Sequence, residues 1–136
     1  MALVNGLLSL TLVFVALLAH AQTRGANASA REIKNPVAAT PASITAGAAA
    51  FKKYCAFCHG ADAKGNGPLA PKDSNPPDLT DDKWDLGSTD GEIHATIANG
   101  AGPNSKMVGF KQKMPEQDLW NIINYLRSIG PKPAPR

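Results

Sequence analysis

The sequence predicts an all-α domain, small and built from three to five helices joined by long loops. Three segments repeat apolar residues at helical spacing, whereas no segment alternates apolar and polar residues for long enough to predict a strand. Segments rich in Gly and Pro separate the helices. The chain has 136 residues, the length of one domain. Because loops this long are uncommon in a small domain unless they cover something, we expect them to wrap a group that is not polypeptide.

The first helix is predicted over residues 44–54, an Ala-rich stretch. Its apolar face consists of Ile44, Ala48 and Phe51. Ser43 or Thr45 is expected to cap its start. The Gly- and Pro-containing segments 60–84 and 101–114 are predicted to be irregular loops.

Two further helices have clear boundary signals. Thr89 and Glu92 match a capping box, which opens a short helix that ends at Asn99. The last helix is predicted to begin at Pro115, which suits the first helical position, and to stop at Gly130. Its apolar face consists of Leu119, Ile122, Ile123 and Leu126. We expect the first and last helices to cross.

The N-terminus has the pattern of an export signal. An apolar run from Leu7 to Leu18 precedes Ala19-His20-Ala21, a small-x-small cleavage site. The run is shorter than the roughly 20 residues that span a bilayer. The prediction is therefore a periplasmic protein without a membrane span once the signal is cleaved. Because no Lys or Arg precedes the run, an uncleaved membrane anchor is the alternative. The predicted division is signal peptide 1–21, flexible lead-in 22–42, folded domain 43–130 and C-terminal tail 131–136.

The net charge and the number of cysteines limit the classes of function that the chain can have. The net charge is only +3, with 14 basic and 11 acidic residues mixed along the chain, which does not fit a nucleic-acid-binding protein. The two cysteines allow one disulfide or one shared site.

Those cysteines form the motif Cys55-Ala56-Phe57-Cys58-His59, the C-x-x-C-H pattern of covalent haem attachment. A three-residue offset places both thiols on one side of a helical turn, and His59 can then reach the iron as an axial ligand. A thioredoxin-like redox pair would require a βαβ context that is not visible. A zinc site would require two further ligands, and a structural disulfide would leave His59 unexplained.

The second axial ligand has three candidates after the motif: Met107, Met114 and His94. Met107 is favoured because it lies in a loop flanked by Gly and Pro, with no helical face to pack. Met114 precedes Pro115 and is interpreted as an apolar residue that packs at the start of the last helix, as in a hydrophobic staple. His94 lies inside a predicted helix and is interpreted as a solvated side chain.

Residues 47–129 resemble the class I cytochrome c family, especially bacterial periplasmic monohaem members. The matching features are Gly47 and Phe51 before the motif, Ile97-Ala-Asn-Gly100, Met107-Val-Gly-Phe110, Trp120 and Tyr125. The resemblance implies a small cytochrome c fold around one covalent haem c, with Gly47 at a close helix crossing. It also implies that the Pro68 carbonyl accepts the Nδ1–H of His59. Val108 departs from the family's usual Pro, and Met114 occupies a usual Leu position.

The expected function is a single-electron carrier rather than an enzyme, because two axial ligands leave no open position for substrate. Two alternatives remain: a haem peroxidase or ligand-binding haem protein with a labile sixth site, and an anchored cytochrome subunit of a respiratory complex. The partners are expected to be redox proteins, with an acidic docking surface facing lysines around the haem. These lysines are Lys52, Lys53, Lys106, Lys111 and Lys113.

Overall fold

The computed structural model describes residues 29–132 and contains four helices in that range. They are α1 (Pro41–Tyr54), α2 (Ala56–His59), α3 (Asp90–Asn99) and α4 (Glu116–Ile129). No strand occurs between residues 29 and 132, where the only sheet-like pairing is one isolated bridge between Gly100 and Val108. The all-α prediction with long loops is confirmed. The predicted signal peptide and most of the predicted tail lie outside the described residues.

In the described range no helix combines the length and the apolar character that crossing a membrane requires.

The start of α1 differs from the prediction. Thr40 is the N-cap, and its hydroxyl accepts the Ser43 N–H at 3.2 Å while the Ser43 hydroxyl accepts the Thr40 N–H at 3.2 Å. Pro41 stands at the first helical position, where its missing N–H costs nothing. Ser43 is thus a member of the capping box and not the N-cap. Thr45 does not cap either, since its hydroxyl donates to the Pro41 carbonyl.

The boundaries of α3 and the start of α4 follow local signals. Thr89 caps α3 through the predicted capping box, with Glu92 Oε2 accepting the Thr89 N–H at 3.0 Å. Gly100 ends α3 with a φ of 91°, a left-handed conformation that favours glycine. Pro115 is the N-cap of α4, so this helix begins one residue later than predicted.

Helices α1 and α4 cross with their backbones in close contact. A Cβ added to Gly47 would lie 1.9 Å from the Asn121 carbonyl oxygen, so only glycine fits at this crossing. The rings of Phe51 and Tyr125 pack beside it, with centroids 5.3 Å apart. Fully buried side chains from α4 complete the core: Leu119, Ile122 and Ile123. The predicted helix crossing is therefore present.

Residues 30–40, expected to belong to a flexible lead-in, form a packed N-terminal strap in the structure. The Asn35 amide donates to the Trp120 carbonyl at 3.1 Å and to Asn124 Oδ1 at 2.9 Å. The Asn124 amide in turn donates to the Val37 carbonyl at 3.0 Å. Ala30 is buried, and its carbonyl packs against α3. The strap is ordered because its polar groups find partners on α4 more than 80 residues away.

Arg127 joins the end of α4 to the start of α3. Its Nε donates to Asp90 Oδ1 at 2.9 Å, and its other nitrogens donate to the carbonyls of Ser88 and Pro131. Its guanidinium also lies over the Trp84 ring, 5.9 Å from the centroid. The Arg127 side chain is only 10% exposed, so these contacts are largely desolvated. They fix where α3 sits on the end of α4.

Candidate functional site

The C-x-x-C-H motif forms a single helical turn directly after α1. Cys55 lies between α1 and α2, and its carbonyl accepts the N–H groups of Cys58 at 3.1 Å and His59 at 2.9 Å. Residues three apart are neighbours on such a turn, so both thiols lie on one side. Both thiols are free in the structure. The local geometry is therefore the one that attachment to two vinyl groups of one haem requires.

The loop after α2 folds back onto this turn. The N–H groups of Gly65, Gly67 and Leu69 donate to the carbonyls of His59, Cys58 and Phe57, at 2.8, 3.1 and 2.8 Å. A Cβ on Gly67 would lie 2.4 Å from the Cys58 carbonyl carbon. The glycine-rich segment thus satisfies the carbonyls at the end of α2 and holds the motif rigidly.

The His59 imidazole is buried, and its Nδ1 makes no hydrogen bond. Burial lowers the pKa of His59, and the Pro77 carbonyl opposes that shift without reaching hydrogen-bonding geometry. The low pKa favours the neutral ring, which is the form that binds a metal. The carbonyl beside His59 therefore belongs to Pro77, whereas the family resemblance had implied Pro68. Pro77 is brought there by the long loop, which the spacing along the sequence does not reveal.

The cysteine environment disfavours thiol redox chemistry. Burial, with a smaller effect of neighbouring Cys58, raises the pKa of the Cys55 thiol to about 12. A thioredoxin-like site requires the opposite, a thiol whose pKa is lowered so that the thiolate forms. No group of three or more His, Cys, Asp or Glu side chains in residues 29–132 could hold a metal ion.

The three candidates for the second ligand occupy different environments. Met107 is half-buried in the loop between α3 and α4, whose closure includes a hydrogen bond from the Ala101 N–H to the Met107 carbonyl at 3.1 Å. Met114 is buried in the core at 6% exposure, which agrees with its interpretation as packing. We had expected His94 to be solvated, but its ring instead stacks on Trp120, with centroids 4.0 Å apart. Of the two methionines, Met107 is the one that lies in a loop outside the core.

Half-buried apolar side chains at the end of α1, in the motif and in both loops form a wall packed against the core. The set consists of Tyr54, Cys55, Ala56, Leu79, Trp84, Met107 and Phe110. Phe57 of the motif and Leu69 beside it are 52% and 66% exposed. A largely apolar, planar group needs such a wall, together with two thiols on one turn and a neutral imidazole. The residues present therefore fit a haem.

The structure brings two of the predicted lysines together. Lys53 Nζ lies 4.7 Å from the Tyr54 ring centroid and Lys113 Nζ lies 5.0 Å from the Phe110 ring centroid. Those two rings meet edge to face, with centroids 6.4 Å apart. Lys106 is separate, since its Nζ pairs with Asp73 at 3.0 Å. The Lys53–Lys113 pair thus forms a basic and aromatic surface next to the motif and the Met107 loop.

Comparisons with known proteins agree with this geometry. Residues 42–126 match the family described as cytochrome c oxidase, cbb3-type, subunit III. The cbb3-type oxidase subunit CcoP of Rubrivivax gelatinosus is 33% identical over 97 residues, which cover 71% of this chain and 29% of that protein. Subunit FixP of Azorhizobium caulinodans is 32% identical over 90 residues, covering 62% and 28%. The chain thus spans less than a third of the length of these relatives.

Two solved structures share the fold. Cytochrome cL from the methylotroph Methylophaga aminisulfidivorans aligns with a TM-score of 0.56 and 26% identity, covering 66% of this chain and 55% of that one. A chain of the reducing HAO-like protein complex of Kuenenia stuttgartiensis aligns with a TM-score of 0.63 and 23% identity, covering 70% and 47%. The family match covers more than half of the chain. This protein therefore belongs to the cbb3-type cytochrome c oxidase subunit III family, and its domain is a haem-binding, electron-transferring cytochrome c domain.

Proposed function

We propose that the domain holds one covalent haem c through Cys55 and Cys58, with His59 and Met107 as axial ligands, and relays single electrons as a cytochrome subunit of a membrane-bound respiratory oxidase. The carrying observation is the C-x-x-C-H turn, hydrogen-bonded to the glycine-rich loop and bearing a buried His59, in a chain of this family. When bound, haem c supplies an iron that gains and loses one electron.

The residues of this chain contribute positioning and exclusion of water. The glycine-rich loop fixes the motif, and the loop between α3 and α4 brings Met107 out of the core. With His59 and Met107 both as ligands, the iron would have no coordination position left for a substrate. This favours electron transfer over peroxidase chemistry or the binding of small ligands. An apolar wall of half-buried side chains also disfavours the extra charge of the oxidised state, which raises the reduction potential.

The choice between a complex subunit and a free carrier follows from the relatives. Those named above are subunits of cbb3-type oxidases, which supports a subunit over the freely diffusing periplasmic carrier expected from the sequence. The free carrier is the second candidate, favoured by the cleavage site Ala19-His20-Ala21. N-terminal sequencing of the protein from its native membrane and periplasmic fractions separates them. A retained segment 1–21 that purifies with an oxidase supports the subunit, whereas a chain beginning at Gln22 in the periplasmic fraction supports the carrier.

Replacing each methionine by alanine tests the second axial ligand. Met107→Ala should abolish the far-red absorption band of methionine-ligated ferric haem and lower the reduction potential, because a donor to the iron is lost. Met114→Ala should keep the band but lower the free energy of unfolding by about 2–4 kcal/mol, since it empties a core position. Absorption spectra, potentiometry and guanidinium denaturation measure these effects.

The same proteins test covalent attachment. Haem should stay with the polypeptide after denaturation and solvent extraction in the unaltered protein and in both methionine variants. Loss of the band in Met114→Ala but not in Met107→Ala would contradict the ligand assignment. Extraction of the haem from the unaltered protein would contradict attachment through Cys55 and Cys58.

We further propose that Lys53 and Lys113 face an acidic patch on the redox partner. Replacing both by Gln should slow bimolecular electron transfer several-fold at low salt and weaken its salt dependence, because exposed charges act mainly on the association rate. Stopped-flow kinetics with the purified partner measure this. Lys64 and Lys72, replaced in the same way, are the matched control. Equal losses of rate in both double variants would show that the net charge of the protein, and not this surface, determines the rate.

A further inference from the structure

His94 belongs to a side-chain cluster that joins α3 to the first turn of α4. Its ring lies parallel to that of Trp120, with 13° between the planes. Its Nε2 lies 2.7 Å from Glu116 Oε1, and the same oxygen accepts the Trp120 Nε1–H at 3.0 Å. The His94–Glu116 contact is a close ion-pair contact rather than an in-line hydrogen bond. The His94 side chain is only 17% exposed, whereas that of Glu116 is 64% exposed, so the contact is shielded from solvent on the histidine side alone.

This cluster links the two helices that hold the ends of the Met107 loop. The loop leaves α3 after Asn99 and reaches α4 at Glu116. On the way it is hydrogen-bonded to the last turn of α3: the Phe110 N–H donates to the Ile97 carbonyl at 3.0 Å. A second bond runs from the Lys111 N–H to the Ala98 carbonyl at 3.2 Å. The loop is therefore attached to α3, and its distance from α4 depends on how firmly α3 is held there.

Other charged groups on the elements around His94 have partners of their own. On α3 itself, Asp90 pairs with Arg127 and Glu92 accepts from the Thr89 backbone. In the loop, Lys111 Nζ contacts Asn99 Oδ1 at 3.4 Å. The remaining charged groups on these elements are Arg31, Glu32 and Lys34 of the strap, Lys106 and Lys113 of the loop, and Asp118 of α4. Glu116 is the group found at ion-pair distance from the imidazole.

We infer that His94 and Glu116 are positioning residues that hold α3 against α4 and keep the Met107 loop closed. The inference rests on the proposed role of Met107. The His94 ring of α3 lies on the Trp120 ring of α4, and the Glu116 carboxylate contacts both rings. Without these contacts α3 is held less firmly against α4, and the loop should open more often.

The rate at which carbon monoxide binds to the ferrous protein tests this inference. The probe can bind only after Met107 has left its position. In Glu116→Ala, which loses the contacts to His94 and Trp120, we expect the rate at constant pH to rise about threefold, as suits a partly exposed contact. His94→Phe keeps the stacked ring but loses the contact to Glu116 and should raise the rate less.

Asp118→Ala is the matched control, because it removes a carboxylate from the same helical turn without touching His94. It should keep the rate of the unaltered protein. If Glu116→Ala keeps that rate too, the inference is wrong. The Met107→Ala spectrum decides the ligand separately. A lost band together with an unaltered rate in Glu116→Ala overturns only the positioning role, and a retained band overturns the ligand on which it rests.

Discussion

Gly47→Ala should destabilise the domain by about 2–3 kcal/mol, even though alanine is the better helix former. The added methyl group would lie 1.9 Å from the Asn121 carbonyl oxygen, which belongs to rigid helical backbone and cannot rotate away. Helices α1 and α4 would have to separate, and the Phe51–Tyr125 packing beside the crossing would loosen. Guanidinium denaturation of the haem-loaded protein, followed by circular dichroism, measures the effect.

Ala49→Gly is the matched control for Gly47→Ala. Ala49 lies on the exposed side of the same helix, so this change should cost only about 1 kcal/mol through helix propensity. If Gly47→Ala instead stabilises the protein, propensity dominates and the helices do not cross as closely as described.

Arg127→Met should lower the free energy of unfolding by about 3 kcal/mol. The substitution keeps much of the side chain's apolar volume but removes every donor. It leaves the Asp90 carboxylate without its partner and the carbonyls of Ser88 and Pro131 without a buried donor. Because the Arg127 side chain is 10% exposed and that of Asp90 25%, water replaces these bonds only in part. Urea denaturation measures the loss.

A double-mutant cycle separates the Arg127–Asp90 pair from the rest of the arginine's contacts. Asp90→Asn should cost clearly less in the Arg127→Met background than in the unaltered protein, because its partner is already absent. Equal costs in both backgrounds would mean that the two side chains do not interact.

Local signals in the sequence predicted most of the helical framework. The Thr89–Glu92 capping box and the glycine after Asn99 were sufficient to place α3, because each acts within one turn. The true start of α1 was also readable from Thr40, Pro41 and Ser43, which together form a Ser/Thr capping box with proline at the first position. The prediction failed there because Ser43 was treated as a cap rather than as the third residue of the box.

Contacts between distant segments were not predictable in the same way. Asn35 looks like any polar residue in a flexible segment, yet its partners Trp120 and Asn124 lie 85 and 89 residues away. The contacts of Arg127 with Asp90 and Trp84 likewise depend on tertiary packing, which its position in the last turn of α4 does not reveal. In the candidate site, too, the local contacts were predictable and the distant ones were not. The thiols and His59 form one local turn, but the carbonyl beside His59 comes from Pro77 through a long loop.

The strap of residues 30–40 has a mechanical consequence. A pull on the N-terminal end of the strap would meet the packing of Ala30 against α3 and then the hydrogen bonds of Asn35 and Asn124, which attach the strap along α4. Only after those bonds break would the force reach α1 and the cysteine-bearing turn beyond it. A force applied to the N-terminal end of the strap is therefore borne by α3 and α4 before it reaches His59. The domain could be tethered at that end without a change in the geometry around His59.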